Sequence, residues 1–283
     1  MFYQSIRIQI AIITKLINNT KFKIDKGDHL LDTHTHILWN IDDGSKNQCM
    51  SLQMLEIAAR SGTKAIFATP HVIERANKPS WEEIKEKTQQ LRQLCAEAQI
   101  DIMLYPGAEV QMNWELLPEL GATGAYCLNG GRYLLIELPA AEIPAYADEF
   151  WYELELKGIT PILAHPERYQ QLRENPDLLL LWRRRGMLMQ CNSGSFTGMF
   201  GSSVCENAKV LLANGLVDLL GSDGHRSEGR NTDMSRAAAV IRQLAGEEVL
   251  RQLTETNPQA ILKNQEIELK QPKVLLEDKP KSF

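Results

Sequence analysis

The chain has 283 residues, 43% of them apolar, which suffices for one large α/β domain or two small ones and excludes a disordered polypeptide. Thirty-one Lys and Arg against 36 Asp and Glu leave a net charge of −5, so no global positive field draws the protein to nucleic acid or to an anionic membrane. The five cysteines, at positions 49, 95, 127, 191 and 205, form no Cys-x-x-Cys pair and read as reduced cytoplasmic thiols; none has an arginine six positions later, the spacing with which cysteine-dependent phosphatases cradle a phosphate.

Residues 6–17, I-R-I-Q-I-A-I-I-T-K-L-I, are apolar, but Arg7, Gln9 and Lys15 interrupt a stretch already short of the roughly 20 residues a membrane helix needs. Ile10 to Ile13 is too brief for a signal-peptide core, and no small-x-small cleavage site follows. Residues 1–29 are therefore expected to be an amino-terminal extension of a cytoplasmic protein. Lys15, Lys21, Lys23 and Lys26 would allow peripheral contact with a membrane surface or partner.

From Leu30 onward, short β-type runs alternate with helical patterns, which predicts βα units around a parallel sheet. The runs are Leu30 to His34, Lys64 to Thr69, Asp101 to Pro106, Tyr133 to Leu138, Thr160 to His165, Met187 to Cys191 and Val217 to Ser222. Between them Cys49, Leu52, Leu55 and Ala59, then Ile84, Leu91, Leu94 and Ala98, have helical spacing. Gly62, Gly158, Gly186 and Gly215 each stand where a helix would end and a strand begin. Arg183 to Arg185 is expected to be a solvated cluster complementing a helix dipole. No linker divides the chain, so 30–269 is expected to form one domain and 270–283 a polar tail. Seven βα repeats predict a seven-stranded barrel related to the TIM barrel, with an open doubly wound sheet as the competing arrangement. Both place chemistry at the carboxyl ends of the strands.

Those ends carry one kind of residue. Strand one ends in D-T-H-T-H, so His34 and His36, two apart on extended chain, face one side. T-P-H gives His71, G-A-E gives Glu109, L-L-I-E-L-P gives Glu137, A-H-P-E-R-Y gives His165, and G-S-D-G-H gives Asp223 and His225. Five of the six histidines in the chain occupy these positions; the sixth, His29, reads as a surface residue. A lone strand-end histidine is commonly a satisfied core residue, and I-D-D-G after strand one is by itself a turn signal. Imidazoles and carboxylates converging on one barrel mouth, however, would repel or stay unpaired without a cation among them, which points to a multinuclear metal site.

Together H-T-H, I-D-D-G, T-P-H, G-A-E, L-I-E-L, A-H-P-E-R-Y and S-D-G-H, in this order from about Leu31 to Arg230, resemble the polymerase-and-histidinol-phosphatase (PHP) superfamily. Within it they are most similar to the bacterial manganese-dependent protein-tyrosine phosphatases of capsule and exopolysaccharide operons. Weaker similarity continues through N-P-Q-A-I-L. The resemblance implies a distorted (β/α)7 barrel of PHP type holding three divalent metal ions, most commonly manganese, with iron, zinc or cobalt compatible with the same donors. It groups His34, His36, Glu109 and Asp223 on one ion, Asp43, His71 and His225 on a second, and bridging Glu109 with Glu137 and His165 on a third. It assigns phosphate binding to Arg168 and Arg230. H-I-L-W-N precedes I-D-D-G where many relatives have Pro-Gly, so the rim of the pocket differs.

Arg168 could alternatively pair with Glu167, and Ser227 to Gly229 would place Arg230 on a mobile loop. Asn192 and Ser193 could orient a phosphate or water, or simply make a turn. Clustered cations relieve the repulsion that protects a phosphate monoester and lower the pKa of water, so no cysteine or serine nucleophile is needed. The implied substrate is phosphotyrosine on a protein, with the tail of a bacterial tyrosine kinase as partner. The alternatives are a small-molecule phosphatase of the same superfamily, such as one acting on histidinol phosphate, and a non-catalytic kinase-binding regulator.

Overall fold

The structure is a computed structural model and describes residues 29–120, 124–270 and 272. The apolar segment near the amino terminus and most of the expected tail lie outside the described residues; His29 is exposed.

Nine strands are described: β1 (Leu30–Thr35), β2 (Thr63–Ala68), β3 (His71–Val72), β4 (Met103–Pro106), β5 (Glu109–Gln111), β6 (Tyr133–Glu137), β7 (Thr160–Ala164), β8 (Leu188–Asn192) and β9 (Leu219–Gly221). All their pairings are parallel, in the orders β1-β2-β4 and β3-β5-β6-β7-β8-β9. Each of the seven runs read from the sequence overlaps one strand to within a residue or two, while β3 and β5 were not anticipated. They are continuations of β2 and β4 beyond short breaks. Pro70, which has no N–H to give a ladder, stands in the first break, and Gly107 in the second. Hydrogen bonds cross both breaks: Gly107 N donates to Ala68 O (2.9 Å) and Glu109 N to Pro70 O (3.0 Å).

The sheet curls. Phe67, Leu135, Ile162, Ala164, Leu188 and Leu219, from β2, β6, β7, β8 and β9, meet in one buried cluster, although β2 has no ladder to the others. Strands that do not pair can share side-chain contacts only if the sheet bends around them. The alternate residues Leu134, Ile136 and Leu163 belong to a second, larger cluster with the outer helices, including Phe150 and Leu154 of Ala147–Leu156. Burial on both faces explains why strands such as β6 and β7 read as apolar runs and not as an alternation. The curl brings β1 beside β9: Thr35 bridges Gly224, His36 N donates to Gly224 O (2.9 Å) and Asp223 N to His34 O (2.7 Å).

Gly62, Gly158, Gly186 and Gly215 all have the positive φ that a helix-ending residue requires, +71° to +94°. Two expectations need correction. The inner stripe of helix Gln48–Arg60 is Ser51, Met54, Leu55 and Ala58; Cys49 is exposed, while Leu52 and Ala59 are half-buried against the same core. Arg183 is not solvated. It is buried on the inner face of helix Asp177–Arg184 and paired with buried Asp218, while Arg184 and Arg185 are exposed.

Candidate metal centre

His34 lies in β1 and His36 follows its end, so both side chains project into the mouth where β1 meets β9. The break after β2 restarts the chain at His71, paired in register with Glu109, the first residue of β5. Glu137 ends β6 opposite Gln111, and His165 and Asp223 follow β7 and β9. His165 and Asp223 both adopt left-handed backbone, φ +38° and +52°. Few non-glycine residues do so, and such strain gathers where a side chain must be aimed.

Three imidazoles are held from behind. His36 Nδ1 donates to Asp42 Oδ2 at 2.7 Å, His34 Nδ1 to Gln190 Oε1 at 2.9 Å, and His225 Nδ1 to the Asp223 carbonyl at 2.9 Å. Each partner is an acceptor, which assigns the proton to Nδ1 and leaves the Nε2 lone pair facing forward. Those lone pairs converge on one another and on carboxylates. His34 Nε2 is 3.1 Å from His36 Nε2, and Glu109 Oε2 lies 3.1 Å from the first and 3.3 Å from the second. Asp223 Oδ1 stands 3.5 Å and 3.3 Å from the same two atoms. Asp43 Oδ1 is 3.4 Å from His225 Nε2 and 3.7 Å from His71 Nε2. His71 Nδ1 is 3.1 Å from Glu109 Oε2 and 3.3 Å from Glu137 Oε1, and His165 Nε2 is 2.8 Å from Glu109 Oε1.

Acceptors facing acceptors in a buried pocket are unstable without positive charge between them. Glu109 Oε2 and Asp223 Oδ1 are buried without a hydrogen-bond partner, as are His71 Nδ1 and His165 Nδ1. Three sets offer ligand atoms all within 4.8 Å of one another: His36, Asp43, His71 and His225; His34, His36 and Asp223; His71, Glu109 and Glu137. The mixed imidazole and carboxylate donors suit a divalent cation. His36 and His71 each fall in two sets, whereas the sequence pattern gave each to one, and His165 joins through Glu109 alone.

The electrostatics point the same way. Burial pulls the His34 and His36 imidazoles down, yet Glu109 and Asp223 around His34, and Asp42 with Asp223 and Glu109 around His36, hold both above their ordinary value. Burial pushes Glu109 and Asp223 up, but the imidazoles, and Arg230 for Asp223, keep them well below the usual carboxylate range. The field therefore favours positive charge among the Nε2 atoms. His225 is pushed down to about 4 by burial and by its neighbour His36, so it is a neutral donor. Burial also drives the Cys191 thiol well above its ordinary value, which removes it as a thiolate nucleophile.

Arg168 and Arg230 stand at the rim, partly exposed, and both donate to Asp223 Oδ2, Arg168 at 3.2 Å. Arg168 does not pair with Glu167, whose buried Oε1 instead accepts from Asn192 N (2.9 Å) and Ser195 Oγ (2.6 Å). Asn192 does more than turn the chain: its Nδ2 donates to Asp223 Oδ2 at 2.5 Å. Ser193 opens the short helix Ser193–Phe196. Asp42, Gln190 and Asn192 are the supporting residues that sequence reasoning missed or left open. Asp42 was legible as the other acid of I-D-D-G, and Gln190 as a polar residue inside the run M-Q-C-N.

Comparison with known proteins agrees with this geometry. Residues 30–263 match the sequence profile of the family described as "Capsular polysaccharide synthesis, CpsB/CapC". The chain is 34% identical over 238 residues to the tyrosine-protein phosphatase YwqE of Bacillus subtilis, covering 84% of this chain and 93% of the relative. It is 28% identical over 241 residues to the tyrosine-protein phosphatase CpsB of Streptococcus pneumoniae, covering 83% and 99%. A crystal structure from work on YwqE and CpsB, described as unique metal-dependent tyrosine phosphatases, superposes with a TM-score of 0.80 at 33% identity, over 87% of this chain and 99% of the other. Histidinol phosphate phosphatase from Lactococcus lactis shares the fold, with a TM-score of 0.50 at 16% identity over 77% and 94% of the two chains.

Proposed function

Because the chain belongs to the CpsB/CapC family of capsular polysaccharide synthesis, we propose that it is a metal-dependent protein-tyrosine phosphatase. Its substrate in this reading is phosphotyrosine on a protein, the tail of a bacterial tyrosine kinase that governs capsule or exopolysaccharide synthesis. The observation that carries the proposal is the buried cluster of unpaired imidazole and carboxylate atoms with two arginines at its rim.

His34, His36, Asp43, His71, Glu109, Glu137, His165, Asp223 and His225 would hold the metal, three divalent ions in our reading, manganese first with iron, zinc or cobalt suited to the same donors. Bound ions supply Lewis acidity and a lowered pKa for water. Arg168 and Arg230 bind the non-bridging phosphoryl oxygens, for which a planar guanidinium is shaped. Asp42 and Gln190 fix the tautomers of His36 and His34. Tyrosine leaves with a pKa near 10, so its departure needs less proton donation than an aliphatic alcohol. The TM-score to histidinol phosphate phosphatase speaks for the shared fold alone.

The same reading treats β2 with β3 and β4 with β5 as single interrupted strands, which makes a distorted (β/α)7 barrel. It takes 30–269 as that barrel, 1–29 as an extension and 270–283 as a tail; the profile match over 30–263 supports it. A cytoplasmic site of action is supported by five unpaired cysteines. Among the described residues no helix is long and apolar enough to cross a membrane.

The test is hydrolysis of a phosphotyrosyl peptide with added Mn²⁺ and with chelator, beside histidinol phosphate. Turnover should require metal and favour the phosphopeptide. Arg168→Ala and Arg230→Ala should each lower kcat/KM by about 10²–10³, as loss of one oxyanion-stabilising donor does. Chelator-insensitive turnover, no turnover in the metal-loaded protein, or preference for histidinol phosphate overturns the proposal.

A further inference from the structure

The loop from Thr197 to Gly201, between helices Ser193–Phe196 and Ser202–Ala213, carries an aromatic ring under both rim arginines. Arg168 Cζ lies over the Phe200 ring at 4.8 Å from its centroid, and Arg230 Cζ at 5.5 Å, both within cation–π range. We propose that Phe200 is a positioning residue whose ring is a shared platform keeping the two guanidinium groups converged on the phosphoryl position. The inference rests on the reading of Arg168 and Arg230 as phosphate ligands.

Two guanidinium groups so close repel each other. In this structure they are tied together through one atom, Asp223 Oδ2, which also accepts from Asn192 Nδ2. Among the described residues neither guanidinium has another side-chain acceptor, and Arg230 Nε is buried without a partner. An arriving phosphate takes the N–H donors of the two guanidinium groups that Asp223 leaves free, Arg230 Nε among them, and turning those donors toward it shifts each cation relative to Asp223 Oδ2. A hydrogen bond cannot follow that movement, because it weakens steeply with angle. Attraction to a ring face has no such directional demand, and a planar cation can shift across it while staying attracted. Phe200 thus keeps hold of the pair while the hydrogen bonds to Asp223 change their geometry.

The ring is itself seated. Met199 N donates to Gly194 O at 3.0 Å. A Cβ on Gly194 would come within 2.9 Å of Met199 Sδ and 3.1 Å of Phe200 Cε2. Glycine at 194 therefore lets the Met199–Phe200 segment lie down two residues from Asn192, which donates to the same carboxylate as the arginines. Gly194→Ala should move the Met199 side chain aside and nudge the Phe200 ring without removing it.

The experiment measures affinity for inorganic phosphate by calorimetry, and kcat/KM for a phosphotyrosyl peptide, on Mn²⁺-loaded wild type, Phe200→Leu, Phe200→Met, Phe200→Tyr and Gly194→Ala, with metal content and circular dichroism recorded for each. Phe200→Leu should lose about tenfold in both quantities at unchanged metal content, and Phe200→Tyr should stay within about threefold of wild type, as expected for two partly exposed cation–π contacts. In an Arg168→Met background, Phe200→Leu should cost markedly less, because half of its partners are gone. Gly194→Ala should lose less in the same direction, and Phe200→Met, expected to behave like Phe200→Leu, decides the matter if the leucine variant fails to fold. Wild-type phosphate affinity in the folded leucine variant, equal losses in leucine and tyrosine variants, or an unchanged cost in the Arg168→Met background overturns the platform. A wild type that neither binds phosphate nor turns over peptide overturns the phosphatase reading, and the platform falls with it.

Discussion

The Asp32 carboxylate is buried with half of its acceptors in use. Oδ1 takes the Ser222 N–H at 2.7 Å and the His34 N–H at 3.2 Å, so it stitches β1 to the chain after β9, while Oδ2 has no partner. Burial pushes its pKa from 3.8 up to about 6 against the pull of those hydrogen bonds. A folded-state value above the unfolded one means that the folded protein holds the proton more tightly. Asp32 therefore supports stability below about pH 4, and that support fades as pH rises through about 6. That difference corresponds to roughly 3 kcal/mol. In chelated protein, the melting temperature of wild type should fall relative to Asp32→Asn across this window and keep a constant gap above it; parallel curves would show that the carboxylate is not strained by burial. At the same scale, spacing alone does not tell Asp42 from Asp43, and it was the family resemblance that picked Asp43. Adjacent acids in a turn point differently, and only the fold sends Asp43 toward His225 and His71 and Asp42 behind His36.

Helix Asp177–Arg184 shows how an element can hide a charge that its sequence advertises as surface. Leu179 and Arg183 are four apart, so the arginine continues the apolar stripe of Leu179, Leu180 and Trp182. That spacing was readable, but three consecutive arginines at a helix end suggest solvent. Inside, Arg183 meets Asp218, whose Oδ2 also takes the Met189 N–H at 2.8 Å, and the pair clamps the helix to the start of β9. Arg183→Leu leaves that carboxylate buried and uncompensated, and should cost about 3–5 kcal/mol in chemical denaturation. Adding Asp218→Asn, which removes the charge and keeps an acceptor for the Met189 N–H, should recover most of it; a mild loss in the single variant would mean that water already reaches the pair. Strands β3 and β5 were illegible for a different reason. Two or three residues carry no periodicity, and their pairing follows from β2 and β4 resuming after Pro70 and Gly107.

For the whole molecule, the seven runs were legible because burial on both faces makes most of them largely apolar, whereas the curl that joins β1 to β9 is a long-range property no local pattern encodes. The ligand cluster places unpaired acceptors at the point of closure, so bound metal should stabilise the fold. Saturating Mn²⁺ should raise the melting temperature of chelated protein by about 5–10 °C, the size expected when ligand stands some hundredfold above its dissociation constant in a chain of this length. An unchanged melting temperature would detach the cluster from metal binding. The closure also has a meaning in time. His34 and His36 emerge early from the ribosome, yet the chain segment that seats them, Asp223 to His225, is made some 190 residues later, as the Asp32 and Ser222 contact measures. A chain cut short of that segment holds His34 and His36 without Asp223 and His225, so the centre is complete only once the residues after β9 are made, and an interrupted message would yield an inert protein instead of an unregulated one.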